Sequence, residues 1–93
     1  MKKLSEIEKR LAMRSVPHWK RQRGALVRCF EFEGFPEAMR FVNAVARASE
    51  KAQHHPDIDI RWNRVHLLWV THDAGGLTER DFELAKRCDA LAG

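Results

Sequence analysis

Four of the five histidines, His54, His55, His66 and His72, fall between Glu50 and Asp81, together with Pro56, Trp62, Trp69 and the pair Gly75-Gly76. Imidazole is the side chain whose unperturbed pKa lies nearest neutral pH, so it donates or accepts a proton with little tuning. Three chemistries suit such a cluster. The first is a metal site built from His54, His55, His72 and Asp73, which are numerous enough as ligands. Adjacent residues rarely aim at one ion, however, and neither His-x-x-x-His nor Cys-x-x-Cys occurs, so no metal is expected. The second is structural: His54 and His55 cap a helix C-terminus and His72 bonds a backbone group. The third is general acid–base catalysis by paired imidazoles, which needs no cofactor and suits a small chain without a phosphate-binding loop. Residue types alone leave the second and third open.

The elements that must position these histidines follow from periodicity. Ser5 and Glu8 form a capping box, so a helix starts there, with Ile7 and Leu11 on one face, and Pro17 ends that unit. Trp19 to Gln22 is a short extended piece, and Arg23-Gly24 marks a hairpin tip. Ala25 to Glu33 then alternates with period two, as a strand does. Trp19 reads equally well as a ligand-site aromatic and as a core aromatic. Gly34 breaks the strand and Pro36 suits the first turn of a long helix carrying Ala38, Phe41, Val42, Val45, Ala48 and Ala52 at helical spacing. Met39, Ala44 and Ala46 widen that stripe, which predicts a subunit contact as well as a core face. The helix stops at His54-His55-Pro56, because the residue before proline is pushed out of the α region.

Ile58, Ile60 and Trp62 alternate with Asp59 and Arg61 as a half-buried strand. Asn63-Arg64 is the expected turn, and Val65 to His72 the returning strand. Asp73 to Gly76 is a loop. Thr78 caps a last helix with Asp81 at the third position, and Phe82, Ala85, Cys88 and Leu91 give it a buried stripe. The order is α-β-β-α-β-β-α. The fold class is α+β: a two-layer domain over residues 1–93, with a four-stranded antiparallel sheet and three helices on one face. His54, His55 and His72 then sit where a helix and a strand end, on one rim.

Composition bounds the partners. Ninety-three residues, 44% apolar and 32% charged, make one soluble-type domain. No apolar run reaches the length of a membrane span, and the start is not a secretory signal. Cys29 and Cys88 fit no metal or redox spacing and read as free thiols in a reducing cytoplasm. Net charge is +4, with seven basic residues and no acidic one from Lys9 to Arg28. No aromatic ladder interleaves them, so the stretch reads as a solvated face and not as a nucleic-acid surface.

Glu50, His54-His55-Pro56, Trp62, His72 and Asp81, at these spacings, resemble the signature of the pterin-4a-carbinolamine dehydratases. Asn63-Arg64-Val65 and the run from Thr71 to Asp81 look like that family's flanks, and Trp19, the first hairpin and Phe41 also fall where the family has similar residues. The resemblance covers nearly the whole chain. Two departures are Trp62, where tyrosine is commoner, and Gly34, where an acidic residue often precedes the long helix.

The resemblance implies a concrete reaction. A 4a-hydroxytetrahydropterin, formed when an aromatic amino-acid hydroxylase uses its pterin, would lose water to give the quinonoid dihydropterin. A general acid would serve the leaving hydroxyl and a base would take a ring N–H proton. It implies His54 and His72 as the acid–base pair, with their individual roles open. His55 would orient or bind the pterin, and Gln53, Val70, Thr71 and Asp73 would line the pocket. Asp81 would fix a histidine or cap its helix, and Arg80 and Glu50 would lie at the rim. No cofactor is implied. The expected partners are the pterin, further copies of the chain in a dimer or tetramer, and at most a hydroxylase. The alternative is an interaction protein that stabilises a transcription-factor dimer.

Overall fold

The computed structural model describes residues 2–93. Its elements follow the expected order: α1 (Glu6–Ala12), β1 (Lys20–Gln22), β2 (Ala25–Glu31), α2 (Phe35–Ala52), β3 (Asp57–Arg61), β4 (Arg64–Trp69) and α3 (Glu79–Ala92). Ser5 opens α1 with a complete capping box to Glu8. The backbone and hydroxyl of Ser5 hold the Glu8 carboxyl below the usual carboxylate range. That contribution is therefore present above the unfolded carboxylate pKa and fades as pH falls through the folded one.

All strand pairs are antiparallel, in the order β1-β2-β4-β3. The first hairpin turns at Arg23-Gly24, both at positive φ (52° and 79°). Two successive left-handed residues match the twist of the flanking strands, and glycine meets the second at no steric cost. The second hairpin turns at Trp62-Asn63, one residue earlier than the sequence suggested, with Trp62 at φ 52°. A bulky residue is a poor candidate for that conformation, which is why Asn63-Arg64 looked better. Asn63 secures the turn by donating its side-chain N–H to the Phe32 carbonyl.

The central pair, β2 and β4, turns Leu26, Phe30, Val65, Leu67 and Trp69 toward the helices. Ala38, Phe41, Val42 and Val45 of α2, and Phe82, Leu84, Ala85 and Cys88 of α3, complete the core. Phe41 packs on Phe30 and Phe32 at ring separations of 4.7 and 5.0 Å. Truncating it to alanine would cost about 3–5 kcal/mol. β3 departs from the half-buried strand expected: all five residues are exposed, Ile58 and Ile60 included. Its alternation is real, since Ile58 and Ile60 pair with Leu67 and Val65 on the helix side, but the helices pack on the central pair β2 and β4 and leave this edge strand uncovered. Ile7 and Leu11 on α1 also stay exposed.

Trp19 resolves as a core aromatic. It is 3% exposed, meets Phe30 edge-on, and donates Nε1–H to Asp89, which also accepts from Arg28. Arg28 in turn lies 4.1 Å over the Phe30 ring. This polar cluster ties the start of β1 to α3.

Candidate active site

Three short stretches build the site: the end of α2, the loop after β4, and the start of α3. α2 ends at Ala52, and Gln53 adopts the left-handed conformation (φ 53°). Its side-chain amide folds back to donate to the Glu50 carbonyl. The reversal at Gln53, followed by Pro56, sends His54 and His55 in different directions. His55 is exposed, and its Nε2 pairs with the Glu50 carboxylate at the rim. His54 turns inward, its side chain 11% exposed, and stacks on Trp69 with ring centroids 5.5 Å apart.

The inward partner of His54 is Asp81, which is fully buried at the third position of α3. Oδ1 of Asp81 accepts from His54 Nε2 at 2.7 Å. Oδ2 accepts from the Thr71 hydroxyl at 2.8 Å and from the Thr78 backbone N–H at 2.9 Å. The two roles open for Asp81 in the sequence are both filled: it closes the helix capping box and fixes a histidine. Thr71 also meets the Thr78 hydroxyl at 2.9 Å and lies 3.5 Å from His54 Nε2. A carboxylate only accepts, so Nε2 of His54 carries the proton of that bond, and Nδ1 is left for other chemistry.

His72 is presented differently. Thr71 and Gly76 exchange two backbone hydrogen bonds, which pinch off a loop over residues 72–75. Within it His72–Ala74 make a 3-10 turn that Gly75 ends at φ 76°. His72 and Asp73 are exposed on this loop, and His72 faces a cavity of about 620 Å³ with Val70, Leu68, Gln22, Gly75 and Gly76 in its wall. This cavity belongs to the open side of the sheet. Thr71, bonded to Asp81 and followed directly by His72, links the two histidines; among the described residues no hydrogen bond joins them. Arg80 lies elsewhere, in a groove between α2 and α3 with Lys51 and Arg87.

The sequence did not single out Thr78 or Trp69 as site residues. Both had a readable signal. Trp69 precedes Thr71 by two on the same strand face, and Thr78 is the helix cap that places Asp81. Among the described residues no three histidine, cysteine, aspartate or glutamate side chains converge as a metal site requires. No helix is long and apolar enough to cross a membrane.

Comparison with known proteins agrees with this layout. The family described as Pterin 4 alpha carbinolamine dehydratase matches residues 2–91. A protein of Acidobacterium capsulatum is 60% identical over 91% of this chain and 90% of its own length. One from Thermomicrobium roseum is 58% identical over 86% of each chain, and one from Chloroflexus aurantiacus is 50% identical over the whole of both. All three carry the provisional name pterin-4-alpha-carbinolamine dehydratase. A crystal structure from Brucella melitensis, described as a transcriptional coactivator/pterin dehydratase, superposes with a TM-score of 0.94 at 34% identity, covering 98% of this chain and 99% of that one. A pterin dehydratase-like protein described as a RuBisCO assembly factor in the alpha-carboxysome superposes with a TM-score of 0.70 at 29% identity, over 81% of this chain and 89% of its own. The chain belongs to the pterin-4a-carbinolamine dehydratase family, a family of hydro-lyases.

Proposed function

We propose that the chain dehydrates a 4a-hydroxytetrahydropterin to the quinonoid dihydropterin, with His54 and His72 moving the protons. Family membership supplies the reaction class; the observation that carries the mechanism is the bond from His54 Nε2 to buried Asp81. A carboxylate fixed by two further donors orients the ring and stabilises the imidazolium formed when Nδ1 takes a proton. That favours His54 as the base for the ring N–H. His72, on its exposed loop, then gives a proton to the leaving 4a-hydroxyl. Proton in and proton out balance, and water is the only other product. Such proton transfers contribute typically ~10²–10⁴-fold each.

His55, held to Glu50, orients the pterin at the rim. Val70, Thr71, Asp73 and Gln53 line the approach, and Asp73 offers a carboxylate to the amino-pyrimidine edge. The reaction needs no metal or organic cofactor, so dialysis against a chelator leaves turnover intact. The test is a dehydration assay with freshly generated 4a-hydroxypterin, the slow uncatalysed rate subtracted. A rate no higher than background for the intact chain would sink the reading.

The physiological setting proposed is pterin recycling beside an aromatic amino-acid hydroxylase in the cytoplasm, by a homo-oligomer. Exposed Ile58, Ile60 and Trp62 on and beside an edge strand support self-association. A 10.8 kDa monomer in light scattering at micromolar concentration would exclude it. A second reading, an interaction protein, has its support in the coactivator and assembly-factor descriptions of the two structural neighbours. A pull-down that recovers a DNA-binding protein favours it; one that recovers a hydroxylase favours the enzyme.

A further inference from the structure

The open face of the sheet carries reactive groups that the pterin chemistry does not use. Cys29 on β2 and His66 on β4 are register partners, so their side chains stand together on that face. Cys29 Sγ lies 3.6 Å from His66 Nε2, within hydrogen-bonding range for sulfur. The register partner of His66 on its other side is Asp59 of β3, whose Oδ1 accepts from Arg61. A thiol, an imidazole and a carboxylate thus form one row across three strands. Cys29 and His66 sit in a cavity of about 730 Å³ whose wall also includes His18, Lys20, Asp57 and Asp59. Cys29 is exposed there, whereas Cys88 is buried in the core and burial pushes its thiol up to about 12. The thiolate is the nucleophile, so the two cysteines of this chain have opposite prospects.

We propose that Cys29 is a thiol–disulfide exchange site for zwitterionic low-molecular-weight disulfides, with His66 as its proton acceptor. His66 Nε2 takes the proton from Cys29 Sγ, and the sulfur attacks one sulfur of the small disulfide. A new Sγ–S bond forms, the old S–S bond breaks, and the departing thiolate takes the proton back from the imidazolium. Cys29 is oxidised to a mixed disulfide and one equivalent of small thiol is released, so no further oxidant is required. The cavity fits an adduct of this size, since small-molecule sites span roughly 300–1,000 Å³. The charges in its wall also match the class: Lys20 suits a carboxylate, and Asp57 and Asp59 suit an ammonium group. The row spreads along the sheet and does not converge on a point, which distinguishes it from a metal site.

The experiment uses the intact reduced chain and oxidised glutathione, read by whole-protein mass and peptide mapping, with no dependence on pterin turnover. One glutathione should attach at Cys29 and come off with dithiothreitol, while Cys88 reacts only after unfolding. Cys29→Ser should take no adduct. His66→Gln should slow the modification by about tenfold or more with an unchanged melting curve. Lys20→Ala should slow glutathionylation but leave exchange with the uncharged disulfide of 2-mercaptoethanol unaffected. A folded His66→Gln variant that reacts at the parent rate overturns the assignment, as does Cys88 reacting as fast as Cys29. Lys20→Ala slowing both disulfides equally overturns the choice of a zwitterionic partner.

Discussion

His54 and His72 flank the same threonine along the folded chain, yet they are held by opposite means. His54 is pinned by side chains: stacked on Trp69, bonded to a buried carboxylate, and nearly shut off from solvent. His72 is held by backbone alone, on a loop closed by the paired Thr71 and Gly76, and its imidazole is exposed. In the proposed mechanism the contrast suits a division of labour. A group that must become a cation benefits from a fixed counter-charge in a low-dielectric setting. A group that delivers a proton to a departing hydroxyl, and is then reprotonated from solvent, benefits from exposure. The same contrast separates what each residue gives to stability from what it gives to turnover.

The largest expected effects test that separation. His54→Ala and His72→Ala should each lower turnover by roughly two to four orders of magnitude. Their melting curves should differ. His72→Ala removes an exposed ring and should stay within about 0.5 kcal/mol of the parent. His54→Ala strips a donor from buried Asp81 and a stacking partner from Trp69, and should cost about 1–3 kcal/mol. Equal melting temperatures for the two variants would break the comparison, because His54 would then not be part of the folded network.

Asp81 comes next. Asp81→Ala leaves the His54 ring, the Thr71 hydroxyl and the Thr78 N–H without their acceptor. A loss of about 2–4 kcal/mol follows, or a fall in Tm of roughly 10–25 °C. Asp81→Asn keeps the volume and one acceptor, so it should melt higher than the alanine variant. It should still depress turnover, since an amide cannot stabilise the His54 imidazolium. An Asn variant with parent turnover and lowered Tm would reduce Asp81 to a helix cap.

Much of this arrangement was legible in the sequence, and the illegible parts share a cause. The end of α2 could be read only to within a few residues: Pro56 constrains His55, but the chain already leaves the helix at Gln53, through a left-handed turn. The Thr78–Asp81 cap could be read because capping is local. The double duty of Asp81 could not, since its other partners, the His54 ring on Oδ1 and the Thr71 hydroxyl on Oδ2, lie outside α3. Trp19 stayed ambiguous for the same reason: its partner Asp89 lies far along the chain. The alternation of β3 was correctly seen, but period two reports which way side chains point and says nothing about whether a helix lies over them. Ile58 and Ile60 point to the helix side and find no helix there.

A smaller effect sharpens the account of the rim. Gln53 sits in a left-handed conformation that costs a non-glycine residue about 1 kcal/mol or more. Gln53→Gly removes that cost and loses only an exposed hydrogen bond to Glu50. Stability should therefore hold or rise by up to about 1 kcal/mol. If the Gln53 amide touches the pterin, KM should rise while kcat stays; unchanged KM would leave Gln53 as a helix terminator alone.

The smallest expected effect is that of His66→Ala on pterin turnover, and it is the control for all the others. His66 lies on β4, the strand that leads into the His72 loop, and is equally exposed. The two are six residues apart, a span of at most roughly 20 Å for an extended chain, and they line different cavities. Its neighbours are Cys29 and Asp59, and it shares no hydrogen bond with Thr71, His72 or Asp81. A histidine on the strand that leads into the His72 loop, but away from the loop itself, should be dispensable: turnover and Tm both near the parent values. Suppose instead that His66→Ala proved as damaging as His72→Ala while remaining folded. The pterin would then lie further along the open sheet face than the His72 cavity, in the larger one with Cys29, and the assignment of His54 and His72 as the acid–base pair would fall.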